Sequence, residues 1–216
     1  TCNALYYNIA DFSIWDYTGG FEDVKRKRIV LIGDPEMRMR EDPVRMLRAI
    51  RFAAKLGFEI DEPVIRSIDH HSHLLTNVPA ARLFDEFLKL FMAGYAEATL
   101  ERLLEYRLLE YLFPDTDHIL RQDQRARELV RLAMASTDQR VKEDKPVTPA
   151  FILAALLWPA ARQQAQHLEN RGWVGGPLGL AARQAGDAAR GERGSRRSPH
   201  PAGGPRPRAA RWPRSG

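Results

Sequence analysis

The chain has 216 residues, 44% of them hydrophobic, which is enough to bury one substantial core. A single cysteine, Cys2, excludes an internal disulfide framework and is typical of a reducing compartment, so we predict a cytoplasmic protein. No stretch reaches the ~18 uninterrupted apolar residues of a membrane-spanning helix, and the first residues lack the pattern of a secretory signal. The composition therefore argues against a disulfide-rich secreted protein and against membrane insertion.

The net charge of +5 is concentrated at one end. Residues 1–170 carry 23 basic and 26 acidic side chains, whereas residues 171–216 carry ten arginines against two acidic residues. The segment 169–216 is also rich in glycine and proline and cannot build a packed core, so we predict that it is disordered. Two interpretations of this tail stay open: a basic arm that holds RNA phosphates, or a stretch translated out of frame.

Two strands and a short helix are predicted in residues 1–33. Residues 11–17 alternate polar and apolar side chains, as in a half-buried strand. A short helix should follow Gly19-Gly20, and the β-branched run at residues 28–32 predicts a second strand. These elements indicate the remnant of a small α/β domain.

The region from residue 34 to about residue 168 is predicted to be helical. The clearest helix begins at Asp42, a good N-cap followed by Pro43, and ends near Gly57. The sequence FILAALLW is apolar nearly all round and predicts a buried helix. The predicted fold class is therefore mainly α, with a helical neck and body behind the α/β remnant. Further helices are predicted at 62–74, 80–93, 95–112, about 119–135 and 148–166.

The helix that begins at Asp42 carries a cationic face. An ordinary solvated face, with aliphatic stems over the core edge and charged heads in water, is one explanation. The other is a binding site, since guanidinium groups in a row can grip triphosphate oxygens and an acid–arginine pair can match the edge of a nucleobase. The cationic side chains recur three or four residues apart: Arg45, Arg48, Arg51 and Lys55.

The segment EDPVRMLRAIRFAAKLGF, residues 41–58, resembles the EDxxRxLRxxRFA motif of bacterial poly(A) polymerases and CCA-adding enzymes. TCNALYYN resembles the end of that family's RRDFTxNALYYN segment, and DYTGGFEDV resembles its D-x-x-GG-x-x-DL turn. PAARLFDEFLKLF resembles the family's neck helix and VTPAFILAALLW one of its body helices. The resemblance runs from Thr1 to about residue 166 and leans toward the poly(A) polymerases.

The resemblance implies that the complete protein adds AMP from ATP to RNA 3′ ends. It also implies that Asp42 and Arg45 contact the base, while Arg48 and Arg51 support nucleotide binding. CCA addition to tRNA and a non-catalytic RNA-binding module are the alternatives.

The family's Gly-rich turn, its Asp pair that holds two Mg²⁺ ions and the further Asp of RRDFT would all precede Thr1. We therefore expect no catalytic residue and no metal ligand in this chain. Because electrostatic stabilisation is the chief means of catalysis for this reaction, we expect the chain to be inactive alone.

Three other features have ordinary explanations. Asp115 and Asp117 form an Asp-x-Asp pair without a Gly-rich loop beside it, which favours helix capping over metal binding. His70 and His73 are predicted to share a helix face, but the lack of a third ligand argues against zinc. The N-terminal aromatic residues are predicted to pack in a core rather than to stack on bases: Tyr6, Tyr7 and Trp15.

Overall fold

The computed structural model describes residues 1–171, of which Thr1–Gln164 form the first compact unit. Four short strands form two separate pairs in the first unit. The first pair is an antiparallel hairpin in which Tyr6 lies opposite Trp15, and the second is parallel, with Ile29 opposite Ile60. The strands are β1 (Leu5–Tyr7), β2 (Ile14–Asp16), β3 (Arg28–Ile29) and β4 (Glu59–Ile60).

Helices make up most of residues 1–171, which confirms the mainly α fold class. A 3₁₀ turn, Ser72–Asn77, separates the fourth and fifth of them. None of these helices combines the length and the apolar character that a bilayer-spanning helix requires. The helices are α1 (Gly20–Lys25), α2 (Pro35–Glu41), α3 (Val44–Leu56), α4 (Glu62–His71), α5 (Ala80–Phe91), α6 (Ala96–Glu105), α7 (Leu109–Leu112), α8 (Pro114–Gln122), α9 (Gln124–Lys142) and α10 (Pro149–Asn170).

The helix α3 lies where the sequence predicts it. It ends at Gly57, whose left-handed φ of 65° suits glycine, and it begins one residue after Pro43. Asp42 still caps it, because its carboxylate accepts a hydrogen bond from the backbone N–H of Val44 at 3.2 Å. Leu47 and Ile50 are fully buried, and the helix packs against α5 and α6. The helix that carries the cationic face is therefore firmly anchored in the core.

Two predicted helices are each divided in the structure. The helix predicted at 95–112 breaks at Arg107, which adopts a left-handed φ of 56° between α6 and α7. The helix predicted at about 119–135 crosses a boundary at Asp123, which ends α8 and caps α9. The Asp123 carboxylate accepts hydrogen bonds from the N–H groups of Arg125 and Ala126 at 2.8 and 3.2 Å. The apolar residues keep their helical spacing across both breaks, so the sequence pattern does not indicate these boundaries.

The helix α2 lies in the region predicted to be helical but is not predicted as a separate helix, although its start has the same signal that predicts α3. The Asp34 carboxylate accepts a hydrogen bond from the N–H of Glu36 at 3.2 Å, and Pro35 occupies the first helical position. Met39 anchors the helix, being fully buried. An aspartate–proline pair thus begins two consecutive helices.

Two burial predictions are wrong. The N-terminal aromatic residues are exposed, with 64% of Tyr6 and 51% of Trp15 accessible, because the hairpin has two strands of three residues whose rings mainly contact one another. The apolar helix α10 buries Ile152 and Leu156, but its opposite side leaves Trp158 exposed. α10 continues to Asn170, past the predicted start of the tail. The rest of the predicted disordered tail lies outside the described residues.

Candidate nucleotide-binding site

A cavity of about 420 Å³ is bordered by the N-terminal residues, β3 and α3. This volume falls in the range of cavities that hold small molecules. One acidic side chain, Glu86 of α5, lies among its described lining residues. The other charged lining residues are cationic: Arg38, Arg45, Arg48, Arg51 and Lys89. The cavity therefore suits a small anion.

The three arginines of the predicted site reach this cavity together. Their spacing of three residues places Arg45, Arg48 and Arg51 along one side of α3, and all three are half-buried. Lys55 continues the stripe but is exposed and does not line the cavity. The explanation by an ordinary solvated face therefore suits Lys55, whereas the arginines lie against the cavity wall.

Asp42 lies at the beginning of α3 and does not line the cavity. Its side chain is 16% exposed, and both of its carboxylate oxygens have partners. One oxygen accepts the hydrogen bond from the Val44 N–H, and the other accepts a hydrogen bond from the Arg82 guanidinium at 2.8 Å. The plane of this carboxylate is therefore fixed by α3 and α5 together.

Arg48 lies between two carboxylates. Its Nη1 is 4.0 Å from Asp42, and its Nε is 3.6 Å from Glu86. Glu86 is only 3% exposed and also accepts a hydrogen bond from Lys89 at 2.9 Å. Glu86 is not identified from the sequence as a partner of the arginines of α3. The available signal was the sequence PAARLFDEFLKLF, in which an arginine, a glutamate and a lysine recur at helical spacing.

Four buried polar atoms of the cavity-lining residues have no hydrogen-bond partner in the part of the chain that the structure describes. They are the hydroxyl oxygen of Thr1, the Nε atoms of Arg45 and Arg51 and one carboxylate oxygen of Glu86. Neither of these two arginines forms an ion pair within residues 1–171. Leaving such a group unpaired costs about 1–3 kcal/mol, so native structures satisfy most of them. Arg45 and Arg51 are therefore the cations of this site that are open to an anion.

The other sequence candidates have structural partners. Asp117 is buried and accepts two hydrogen bonds from Arg121 at 2.7 and 3.0 Å, which raise the pKa of Arg121 above its ordinary value. α4 ends at His71, so His70 and His73 do not share a helix. His71 and His70 donate hydrogen bonds to Glu36 at 3.1 and 3.2 Å, which lower the pKa of that carboxyl group.

The described residues do not fit a metal centre of the kind that the family resemblance implies. Within residues 1–171, no three His, Cys, Asp or Glu side chains are placed so that they can hold a metal ion. Asp115 and Asp117 differ in surroundings, since Asp115 is exposed while Asp117 is committed to Arg121.

Known proteins are similar to this chain in sequence and in fold. Residues 57–120 match a family described as "Probable RNA and SrmB- binding site of polymerase A". Poly(A) polymerase I of Escherichia coli O6:H1 is 45% identical over 170 residues, which are 78% of this chain and 37% of that protein. The CCA-adding enzyme of Bacillus pumilus is 39% identical over 112 residues, 52% of this chain and 28% of that enzyme.

Among solved structures, a tRNA nucleotidyltransferase complexed with a primer tRNA and an incoming ATP analogue is similar with a TM-score of 0.56. It is 26% identical, and the match covers 69% of this chain and 44% of that one. The match thus covers less than half the length of each of these three relatives. It belongs to the nucleotidyltransferase family that contains the bacterial poly(A) polymerases and the CCA-adding enzymes.

Proposed function

We propose that the complete protein is a cytoplasmic polynucleotide adenylyltransferase, which transfers AMP from ATP to RNA 3′ ends. In this proposal, the present chain supplies nucleotide selection and part of the RNA contact. The observation that carries it is the cavity in which Arg45 and Arg51 are half-buried and without an ion-pair partner among residues 1–171. The 45% identity to poly(A) polymerase I supports ATP as the nucleotide.

The surroundings of the site residues support the roles that we propose for them. Asp42 has a fixed carboxylate with lone pairs to spare, so we propose that it accepts a hydrogen bond from the adenine amino group, with Arg45 donating to the same base. Arg51 then binds the triphosphate, since a guanidinium can hold two phosphate oxygens at once. Arg48, which is held between two carboxylates, supports Asp42 rather than carrying the phosphates alone.

The RNA contact is proposed for residues 57–120, which lie mainly in α4 to α8. The support is the match of these residues to a family described as an RNA-binding site. A CCA-adding enzyme is 39% identical over 112 residues, so CCA addition to tRNA is the second candidate function. The basic tail, on which a purely RNA-binding function would depend, lies outside the described residues.

Magnesium is proposed as the metal of the complete protein, where it would neutralise the phosphates and the departing pyrophosphate. The described residues offer no cluster of metal ligands, so their part in the reaction is binding and selection. We therefore expect the purified chain with ATP, magnesium and an RNA primer to extend the RNA no faster than a sample without protein. Growth of the RNA above that level would contradict this division of labour.

The proposed nucleotide site can be tested on the 216-residue chain by calorimetry with ATP, ADP, AMP and adenosine. We expect affinity to fall with each phosphate removed, because cationic side chains outnumber the one carboxylate of the cavity. Equal affinity for adenosine and ATP would contradict a phosphate site. A second series with ATP, CTP, GTP and UTP separates the two candidate functions. Preference for ATP supports adenylyl transfer, whereas equal binding of ATP and CTP supports CCA addition.

A further inference from the structure

Charged side chains of α5 contact two residues that we propose for nucleotide binding, Asp42 and Arg48. Arg82 donates a hydrogen bond to Asp42, and Glu86 lies 3.6 Å from Arg48, so two turns of α5 contact one residue just before α3 and one residue within it. Arg48 in turn approaches Asp42 at 4.0 Å. The five side chains form one row of alternating charge: Arg82, Asp42, Arg48, Glu86 and Lys89.

The stability of the fold does not account for this row. Arg82 is 47% exposed, and exposed ion pairs contribute little to folding. Glu86 is buried with one oxygen unbonded, and a buried charge of this kind is commonly less favourable than an apolar side chain of similar volume. We therefore explain this row by a different effect. Its charged side chains fix the orientation of their neighbours in the row.

We infer that Arg82 and Glu86 are positioning residues for nucleotide selection, an inference that rests on the proposed function. Arg82 fixes the carboxylate plane of Asp42 and thereby sets the preference for the base. Glu86 holds the guanidinium of Arg48 beside Asp42 and keeps this arginine from binding phosphate. The selectivity of the site is thus built by a helix whose first residue lies 38 positions after Asp42.

The role of Arg82 can be tested by measuring the ratio of ATP to CTP affinity in the full chain by calorimetry. Arg82→Gln should lower this ratio about fivefold, since a charge-assisted hydrogen bond to Asp42 is lost. Arg82→Lys should recover part of the loss. Arg28→Gln is the matched control, because Arg28 forms a 2.7 Å pair with Asp61 at similar exposure and does not line the cavity. It should leave the ratio unchanged.

A double variant shows whether Arg82 acts through Asp42. If it does, Arg82→Gln combined with Asp42→Asn should lose no more selectivity than Asp42→Asn alone. If the double variant instead loses selectivity by the product of the two single losses, Arg82 contacts the nucleotide directly and the inference is overturned. If Asp42→Asn itself leaves the ratio unchanged, the proposed base contact fails. If Asp42→Asn lowers the ratio but Arg82→Gln does not, the positioning role of Arg82 fails while the proposed base contact of Asp42 stands.

The role of Glu86 has a signature that a purely structural residue would not show. Glu86→Gln keeps the shape of the side chain but releases Arg48, so inorganic triphosphate should bind about threefold more tightly while the ATP-to-CTP ratio falls. Weaker binding of triphosphate and of both nucleotides by the same factor would identify Glu86 as structural support and would overturn its part of the inference. Because Arg82 is exposed, the Arg82 variants remain informative if Glu86→Gln does not fold.

Discussion

Two regions of the chain bury carboxylates in opposite ways. Asp138 of α9 is 7% exposed, and both of its oxygens accept hydrogen bonds, from the N–H groups of Ala96 and Glu97 at 2.6 and 3.0 Å. It thus caps α6 from a different helix. Glu86 beside α3 is more deeply buried, yet one of its oxygens lacks a partner within residues 1–171. The satisfied carboxylate caps a helix, whereas the partly unsatisfied one lies beside the proposed nucleotide site.

The neighbourhood of α8 repeats the satisfied pattern. Arg121 donates to both oxygens of Asp117 and also to the backbone carbonyl of Leu104 at 3.0 Å. The buried hydroxyl of Thr116 donates to the carbonyl of Leu156 at 2.8 Å. These contacts join α6, α8 and α10. The comparison predicts that substitutions here change stability, while substitutions beside the cavity change nucleotide affinity.

The largest effect is expected for Arg45→Ala combined with Arg51→Ala. Each arginine can give charge-assisted hydrogen bonds worth about 1.5–3 kcal/mol, so the pair should weaken ATP binding about 100-fold or more. The melting temperature should change little, because neither side chain has an ion-pair partner among the described residues. Lys55→Ala, on the same helix but outside the cavity, serves as the control in the same calorimetric titration. If Lys55→Ala weakened ATP binding as much as the arginine double variant, the cavity-lining arginines would not differ in function from the solvated end of the face.

The next effect is the loss of the α6 cap in Asp138→Ala. Two hydrogen bonds to a buried carboxylate disappear, so we expect unfolding to become easier by about 2 kcal/mol and the melting temperature to fall by about 4–8 °C. Affinity for ATP should stay the same. Asp69→Ala removes an exposed aspartate of α4 and should be nearly neutral. A stable Asp138→Ala variant with weakened ATP binding would reverse the assignment of the two regions.

What the sequence could predict at the site was local. The N-cap and proline at the start of α3, and the helical spacing of its arginines, depend on residues a few positions apart, and the structure places the arginines at one cavity. The partners from α5 could not be predicted in this way. Arg82 is 40 residues from Asp42, and Glu86 looks like an ordinary polar residue of an amphipathic helix until α5 packs against α3.

The fold shows the same limit. The hydrophobic run of α10 predicts a helix correctly, but it does not say how many sides other elements cover. Likewise, period-2 alternation indicates the strand β2, while the exposure of its aromatic side chains depends on what packs against the hairpin. The assignment of residues 42–51 to nucleotide binding stays a prediction that the arginine variants can test.

A smaller effect is expected for Thr116→Val in the satisfied region. The variant keeps the shape but leaves the carbonyl of Leu156 without this buried donor, which should cost about 1 kcal/mol. Thr76→Val is a matched control, because the Thr76 hydroxyl donates to the carbonyl of His73 at the same 2.8 Å but in an exposed position. Chemical denaturation of both variants measures the difference. A loss at Thr76 as large as that at Thr116 would show that burial is not what distinguishes the two.

The smallest effect concerns the link between α2 and α4. Hydrogen bonds from His71 and His70, with Arg40 nearby, hold the pKa of Glu36 below its ordinary value of 4.5. A depressed pKa in the folded state gives stability that is present above the unfolded value and is lost as pH falls through the folded value. Wild type should therefore melt slightly higher than Glu36→Gln at pH 6, and the difference should shrink as the pH is lowered below 4.5. A difference in melting temperature that grows on acidification would show that the charged Glu36 carboxylate does not favour the folded state. The link between α2 and α4 would then depend on apolar packing, to which the buried Met39 contributes.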